Sequence, residues 1–141
     1  MLLKEKKLVA KLSLANDSYW LGETMDLAVT LDSYEDLDIR EGRIDLICQE
    51  ESTDGSFESG EPRKVYVHST IVFLRNERLA AGDTRVYTPR LPIKRTPPVN
   101  YRPTRGIDGR RAWSFRWKVV ALFDVSTGRD IRTQKTVQVF V

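Results

Sequence analysis

The chain has one cysteine, Cys48, and one histidine, His68. A single thiol closes no internal disulfide, and with no Cys or His pair at zinc-ligand spacing a zinc-built scaffold is excluded as well. There is also no long apolar run. The opening stretch MLLKEKKLVAKLSL breaks its apolar residues with four lysines and a glutamate, which fits neither the core of a signal peptide nor a membrane span. Lone cysteine and broken apolar runs together lead to the expectation of a cytoplasmic protein. No segment repeats apolar residues at helical spacing, and no glycine-rich phosphate-cradling motif is present. Asp32, Glu35, Asp36 and Asp38 form an acidic cluster, but they lack the Asp-x-Asp-x-Asp-Gly order of a calcium loop and read as a solvated turn. No metal and no cofactor is expected.

What is present is an ordinary globular composition, with 40% hydrophobic and 30% charged residues among 141. Such a length suits one domain over residues 1–141, able to bury roughly 68–70% of its unfolded surface. Its net charge of +3 hides a segregation. Residues 15–62 hold fourteen Asp or Glu against Arg40 and Arg43, whereas residues 84–118 hold ten Lys or Arg against Asp108 alone.

Alternation of period two runs through the chain and predicts strands. Leu8, Ala10, Leu12 and Leu14 share one face, and so do Met25, Leu27, Val29 and Leu31. Ile44, Leu46 and Cys48 mark a third strand; Val65, Val67, Ile71 and Phe73 mark a fourth. Residues 84–93 follow a turn. Trp113, Phe115, Trp117, Val119, Ala121, Phe123 and Val125 then give the longest alternation in the sequence, long enough to predict a bend or bulge. A hairpin loop at 126–130 leads into Val137, Val139 and Val141. The expected fold is all-β: an antiparallel, immunoglobulin-like β-sandwich of seven to eight strands.

The punctuation between these strands resembles that of arrestin-like domains. Tyr19-Trp20-Leu21-Gly22-Glu23 is similar to the family's Y-x-x-G-E turn, and Leu79-Ala80-Ala81-Gly82-Asp83 to its second glycine turn. Leu91-Pro92, Pro97-Pro98 and a long strand carrying Trp117 and Leu122-Phe123-Asp124 follow in the family's order. The resemblance implies an arrestin-like sandwich and a binding scaffold rather than an enzyme. No position matches the family's phosphate-sensing or polar-core residues, and none is assigned.

Thr96-Pro97-Pro98 ends strand pairing, because proline removes a ladder donor and holds the preceding residue extended. A loop of about a dozen residues follows, and loops of that length are uncommon in compact domains and usually functional or mobile. It carries Tyr101, Arg102, Arg105, Arg110 and Arg111 around Gly106 and Gly109. These five residues are the candidate partner-binding set, with arginines expected to be exposed and to add little to stability. The expected function is a non-catalytic protein-interaction module whose partner is a protein, including another copy of the chain bound through a sheet edge. The alternative is binding of nucleic acid or another polyanion through the basic 94–111 loop, with arginines on phosphates and Tyr101 stacked on a base.

Catalysis is not expected. By simple alternation Cys48 faces inward and His68 outward, so they form no dyad unless a bulge shifts the register. Cys48 is expected in the core and His68 on the surface. Trp113, Phe115 and Trp117 keep the core-facing period and are expected there rather than on a stacking platform.

Overall fold

The computed structural model describes residues 7–52, 64–98, 113–126 and 128–141. In chain order the strands are β1 (Leu8–Leu14), β2 (Ser18–Trp20), β3 (Thr24–Ser33), β4 (Leu37–Ser52) and β5 (Lys64–Leu79). They continue as β6 (Thr84–Tyr87), β7 (Arg90–Pro92), β8 (Trp113–Val125) and β9 (Ile131–Phe140). One sheet has the order β1-β3-β6, with β7 also pairing with β3; the other has the order β2-β9-β8-β4-β5. The expected all-β sandwich is present, with nine strands among the described residues rather than seven or eight. Two departures from the alternating runs have local causes. Thr88 and Pro89 split one expected strand into β6 and β7, and β2 lies in a segment that the alternation leaves as a turn.

Among the described residues every ladder is antiparallel except one. β2 pairs parallel with β9, Ser18 to Gln138 through Trp20 to Phe140, so it is held by the C-terminal strand rather than by a hairpin.

The core lies between the inner faces of the two sheets. Met25, Val29 and Leu31 from β3 meet Ile44, Leu46 and Cys48 from β4 and Val119, Ala121 and Phe123 from β8, all fully buried. These are the alternating sets read from the sequence, because a half-buried strand must bury one parity and expose the other.

The two glycine turns are built alike. Gly22 has φ +92 and Gly82 φ +89, a region that side chains with a Cβ avoid. In the first turn Glu23 N–H donates to Trp20 O, while the Trp20 N–H donates back to Glu23 Oε1 at 2.9 Å. In the second, Asp83 N–H donates to Ala80 O and the Ala80 N–H to Asp83 Oδ2 at 2.8 Å. Each acid thus closes the turn that its glycine permits. Both turns are also tied to a neighbour, through the Gly22 N–H to Ile93 O and the Gly82 N–H to Ser33 O.

Alanine at either glycine should cost about 1–3 kcal/mol, the usual strain of a non-glycine residue held at such angles. Gly22→Ala should sit higher in that range. Its new Cβ would fall 2.8 Å from Arg95 Cγ, whereas nothing lies within 4 Å of the equivalent point at Gly82. Denaturant unfolding of both variants checks the order.

Three bulges break the long ladders. Ile39 faces Val125 and Glu41 faces Asp124, which leaves Arg40 as the extra residue on β4. Its guanidinium turns to Asp124 Oδ1 at 3.0 Å and Val125 O at 3.3 Å. On β5 the extra residues are His68, between the Leu46–Ser69 and Ile47–Val67 pairs, and Phe73, between Gly42–Leu74 and Arg43–Val72.

The bulge at His68 overturns one expectation. Simple alternation puts Val65 and Val67 on one face with Ile71 and Phe73, yet they are 52% and 60% exposed whereas Ile71 and Phe73 pack against the core. One inserted residue flips the parity of everything before it.

Candidate functional site

Tyr101, Arg102, Arg105, Arg110 and Arg111 lie outside the described residues. The described residues show where their loop begins, and His68 is central there. The surface position expected for His68 is corrected by the structure, where it is 8% exposed. As the extra residue of a bulge it escapes simple alternation, and its ring meets Trp117 edge-on at 5.3 Å.

Both ring nitrogens are engaged. Nε2 lies 2.7 Å from the Thr96 carbonyl oxygen and Nδ1 2.9 Å from Ser69 Oγ. A carbonyl only accepts, so Nε2 carries the proton and Nδ1 accepts from the Ser69 hydroxyl. Ser69 Oγ in turn accepts from the Lys94 N–H at 3.1 Å. The chain of bonds runs from Lys94 through Ser69 and His68 to Thr96, and it clamps the residues before Pro97-Pro98 onto β5.

The same margin of the sandwich is stitched further along. Arg85 on β6 reaches Glu77 on β5 at 3.3 Å, and the Tyr87 ring packs on Phe73 at 5.6 Å. Residues 64–67 make no comparable contact with the facing sheet among the described residues.

Cys48 is not a working nucleophile. It is fully buried, and burial, with the Glu50 carboxylate adding to it, pushes the thiol up to about 12. A thiol so protonated attacks nothing at neutral pH. With its ring nitrogens bonded to Ser69 and Thr96, His68 is likewise committed elsewhere.

A groove of about 560 Å³ opens where β9 leaves β8 to pair with β2. Asp17, Phe115, Arg116, Trp117 and residues 136–139 line it. Its ionisable lining is one carboxylate and one guanidinium.

The two charge-segregated stretches touch where β7 lies on β3. Arg90 Nε donates to Asp26 Oδ1 at 2.8 Å, with both side chains more than half exposed, a pairing worth ~0–1 kcal/mol. Arg85 turns instead to Glu77 and Asp83. Lys64, Lys94 and Arg95 form no ion pair with a described residue.

Among solved structures the chain is similar to the sporulation control protein Spo0M from Bacillus subtilis, with a TM-score of 0.72 at 15% identity. The superposition covers 97% of this chain and 51% of Spo0M, so the chain spans about half the length of the protein it matches. The fold is arrestin-like. No family model and no curated protein matches the chain. Within the arrestin-like sandwich, the two glycine-acid turns that carried the resemblance hold β3 to β7 and β3 to β6.

Alternation missed the His68 clamp. The one trace of it is the polar run His68-Ser69-Thr70 inside an otherwise apolar strand. The parallel β2 had no local signal at all.

Proposed function

We propose that this chain is a non-catalytic interaction module of the cytoplasm, working as one arrestin-like sandwich over residues 1–141 and binding a protein partner through its exposed margin and the 94–111 loop. The observation that carries this reading is the likeness to the arrestin-like Spo0M over nearly the whole chain. The chemistry of the sandwich is in keeping with it. The lone thiol and the lone imidazole are both spent on structure, and the described residues include no group of three His, Cys, Asp or Glu able to hold a metal. No described helix is long and apolar enough to cross a membrane. At the root of the loop, Lys94 and Arg95 are exposed cations without ionic partners among the described residues, which favours an acidic partner.

The double variant Arg102→Glu/Arg105→Glu tests the reading. Its stability should stay within ~0.5 kcal/mol of the parent in a thermal melt, while retention of partner proteins on a column of the immobilised chain falls. A large drop in melting temperature would make these arginines structural counter-charges. Single-stranded oligonucleotide binding that weakens steeply with salt would instead assign the loop to nucleic acid.

A further inference from the structure

We infer that residues 64–67 of β5 are a docking edge for an extended acidic segment of a protein partner, which joins the five-stranded sheet as an additional strand. This rests on the reading of the chain as an interaction module, and it names where the partner sits and what it looks like.

Among the described residues β5 is the last strand of its sheet, paired only with β4. An outermost strand carries a row of N–H and C=O groups that another chain can pair with, and proteins guard such rows with bulges, charges and covering segments. The guards on β5 are unevenly spread. His68 and Phe73 are bulged, Asn76 has φ 50, and Arg75 and Arg78 are exposed charges, all at or beyond residue 68. Residues 94–96 lie against the strand at His68 and Ser69. Before residue 68, Lys64 is the only such guard among the described residues. No described residue hydrogen-bonds the far side of residues 64–67.

The side chains there are suited to pairing. Val65 and Val67 project from the outer face, 52% and 60% exposed, and Val67 lies beside the buried Ile47 across the ladder. Exposed valines on an unguarded edge are the opposite of the usual protection. A strand laid alongside would cover them with apolar residues at every second position, and cross-strand apolar pairs stabilise such an addition.

Charge selects the occupant. Lys64 is at one end of the stretch, and Lys94 and Arg95 belong to the segment that closes the other. None of the three is paired with a described residue. Acidic residues at the alternate positions of the incoming strand would meet these cations, whereas a basic strand would be repelled. The recognised segment is therefore short, extended and alternating, apolar on one face and acidic on the other.

The probe is a short peptide of alternating valine and glutamate, titrated into the full chain by fluorescence anisotropy, with a valine–lysine peptide as its charge-reversed counterpart. Amide resonances of residues 64–67 are followed by NMR. The expected result is binding of the acidic peptide only, with the largest shifts at those amides. In Val65→Glu/Val67→Glu, affinity should fall roughly tenfold or more, because carboxylates then face the peptide's valines and the apolar cross-strand pairs are lost. Both valines are more than half exposed, so an unchanged melting temperature verifies that this variant folds. Lys64→Glu, which leaves the valines in place, should weaken binding as well.

Absence of binding, equal binding of both peptides, shifts centred elsewhere, or affinity untouched by the substitutions would each overturn the docking edge. So would sedimentation of the free chain as a dimer that Val65→Glu/Val67→Glu dissociates, since the occupant would then be a second copy. Partner proteins retained equally by parent and variant would overturn the edge while leaving the interaction module standing. Retention by neither, with peptide binding intact, would sink the module instead.

Discussion

Phe123→Ala is expected to cost about 3–5 kcal/mol, the range for removing a fully buried aromatic side chain. Against a total stability of about 5–15 kcal/mol for a natural domain, this loss is a large share of the whole. Phe123 has no exposed surface and lies near the C-terminal end of β8. The Phe73 ring, brought inward by its bulge, meets it edge-on at 5.9 Å and 89°. On the neighbouring strand Gly42 supplies the space the ring needs, since a Cβ there would lie 3.2 Å from Phe123 Cε1 and 3.0 Å from Leu74 Cβ. Alanine at 123 would lose the apolar burial and leave a hole lined by residues of three strands, which packed sheets refill poorly. Urea unfolding should show a lower midpoint with an unchanged slope. A loss below about 1 kcal/mol would mean that the sheets slide together to close the hole, contrary to the rigid ladders around it.

The parts of this architecture that were legible in the sequence are those where period two runs unbroken. β1, β3 and β8 keep one core-facing parity, and the apolar residues read as inward are buried or packed against the core among the described side chains, although Ser33 of β3 and Val120 of β8 are buried as well. The glycine-acid turns were legible for a different reason. A positive φ admits few residues other than glycine, so the backbone requirement is written directly into the sequence. β5 was only half legible. A bulge adds one residue and reverses parity, and nothing in Val65, Val67, Ile71 and Phe73 taken alone reveals that the first pair faces water and the second the core. β2 was not legible, because three residues pairing parallel with a strand more than a hundred positions away leave no local pattern. The candidate site divides in the same way. The proline exit at residues 97–98 follows from proline's missing donor, whereas the clamp beneath it depends on a long-range contact between residues 68 and 96.

That clamp connects the fold to the proposed function. The 94–111 loop and the 64–67 edge meet at one short stretch of chain, held by three hydrogen bonds through Ser69 and His68.

His68→Ala should therefore cost about 2–3 kcal/mol, far more than the ~0.5 kcal/mol typical of an exposed strand position. The substitution leaves the Thr96 carbonyl without its donor and the Ser69 hydroxyl without its acceptor, and orphaned buried polar groups cost about 1–3 kcal/mol. It also removes the ring that lies edge-on to Trp117. The two contributions are separable. His68→Phe retains a ring against Trp117 but donates and accepts nothing, so it should retain the packing and lose the polar part. Ser69→Ala keeps the imidazole and its bond to Thr96 but removes the acceptor of the Lys94 N–H. Its effect should be smaller and local, with faster hydrogen exchange at the Lys94 amide and no change at the core amides of β8. If His68→Ala melted with the parent protein and the Lys94 amide exchanged at the same rate in all three variants, the clamp would contribute nothing, and residues 94–98 would be held by the Gly22–Ile93 bonding alone.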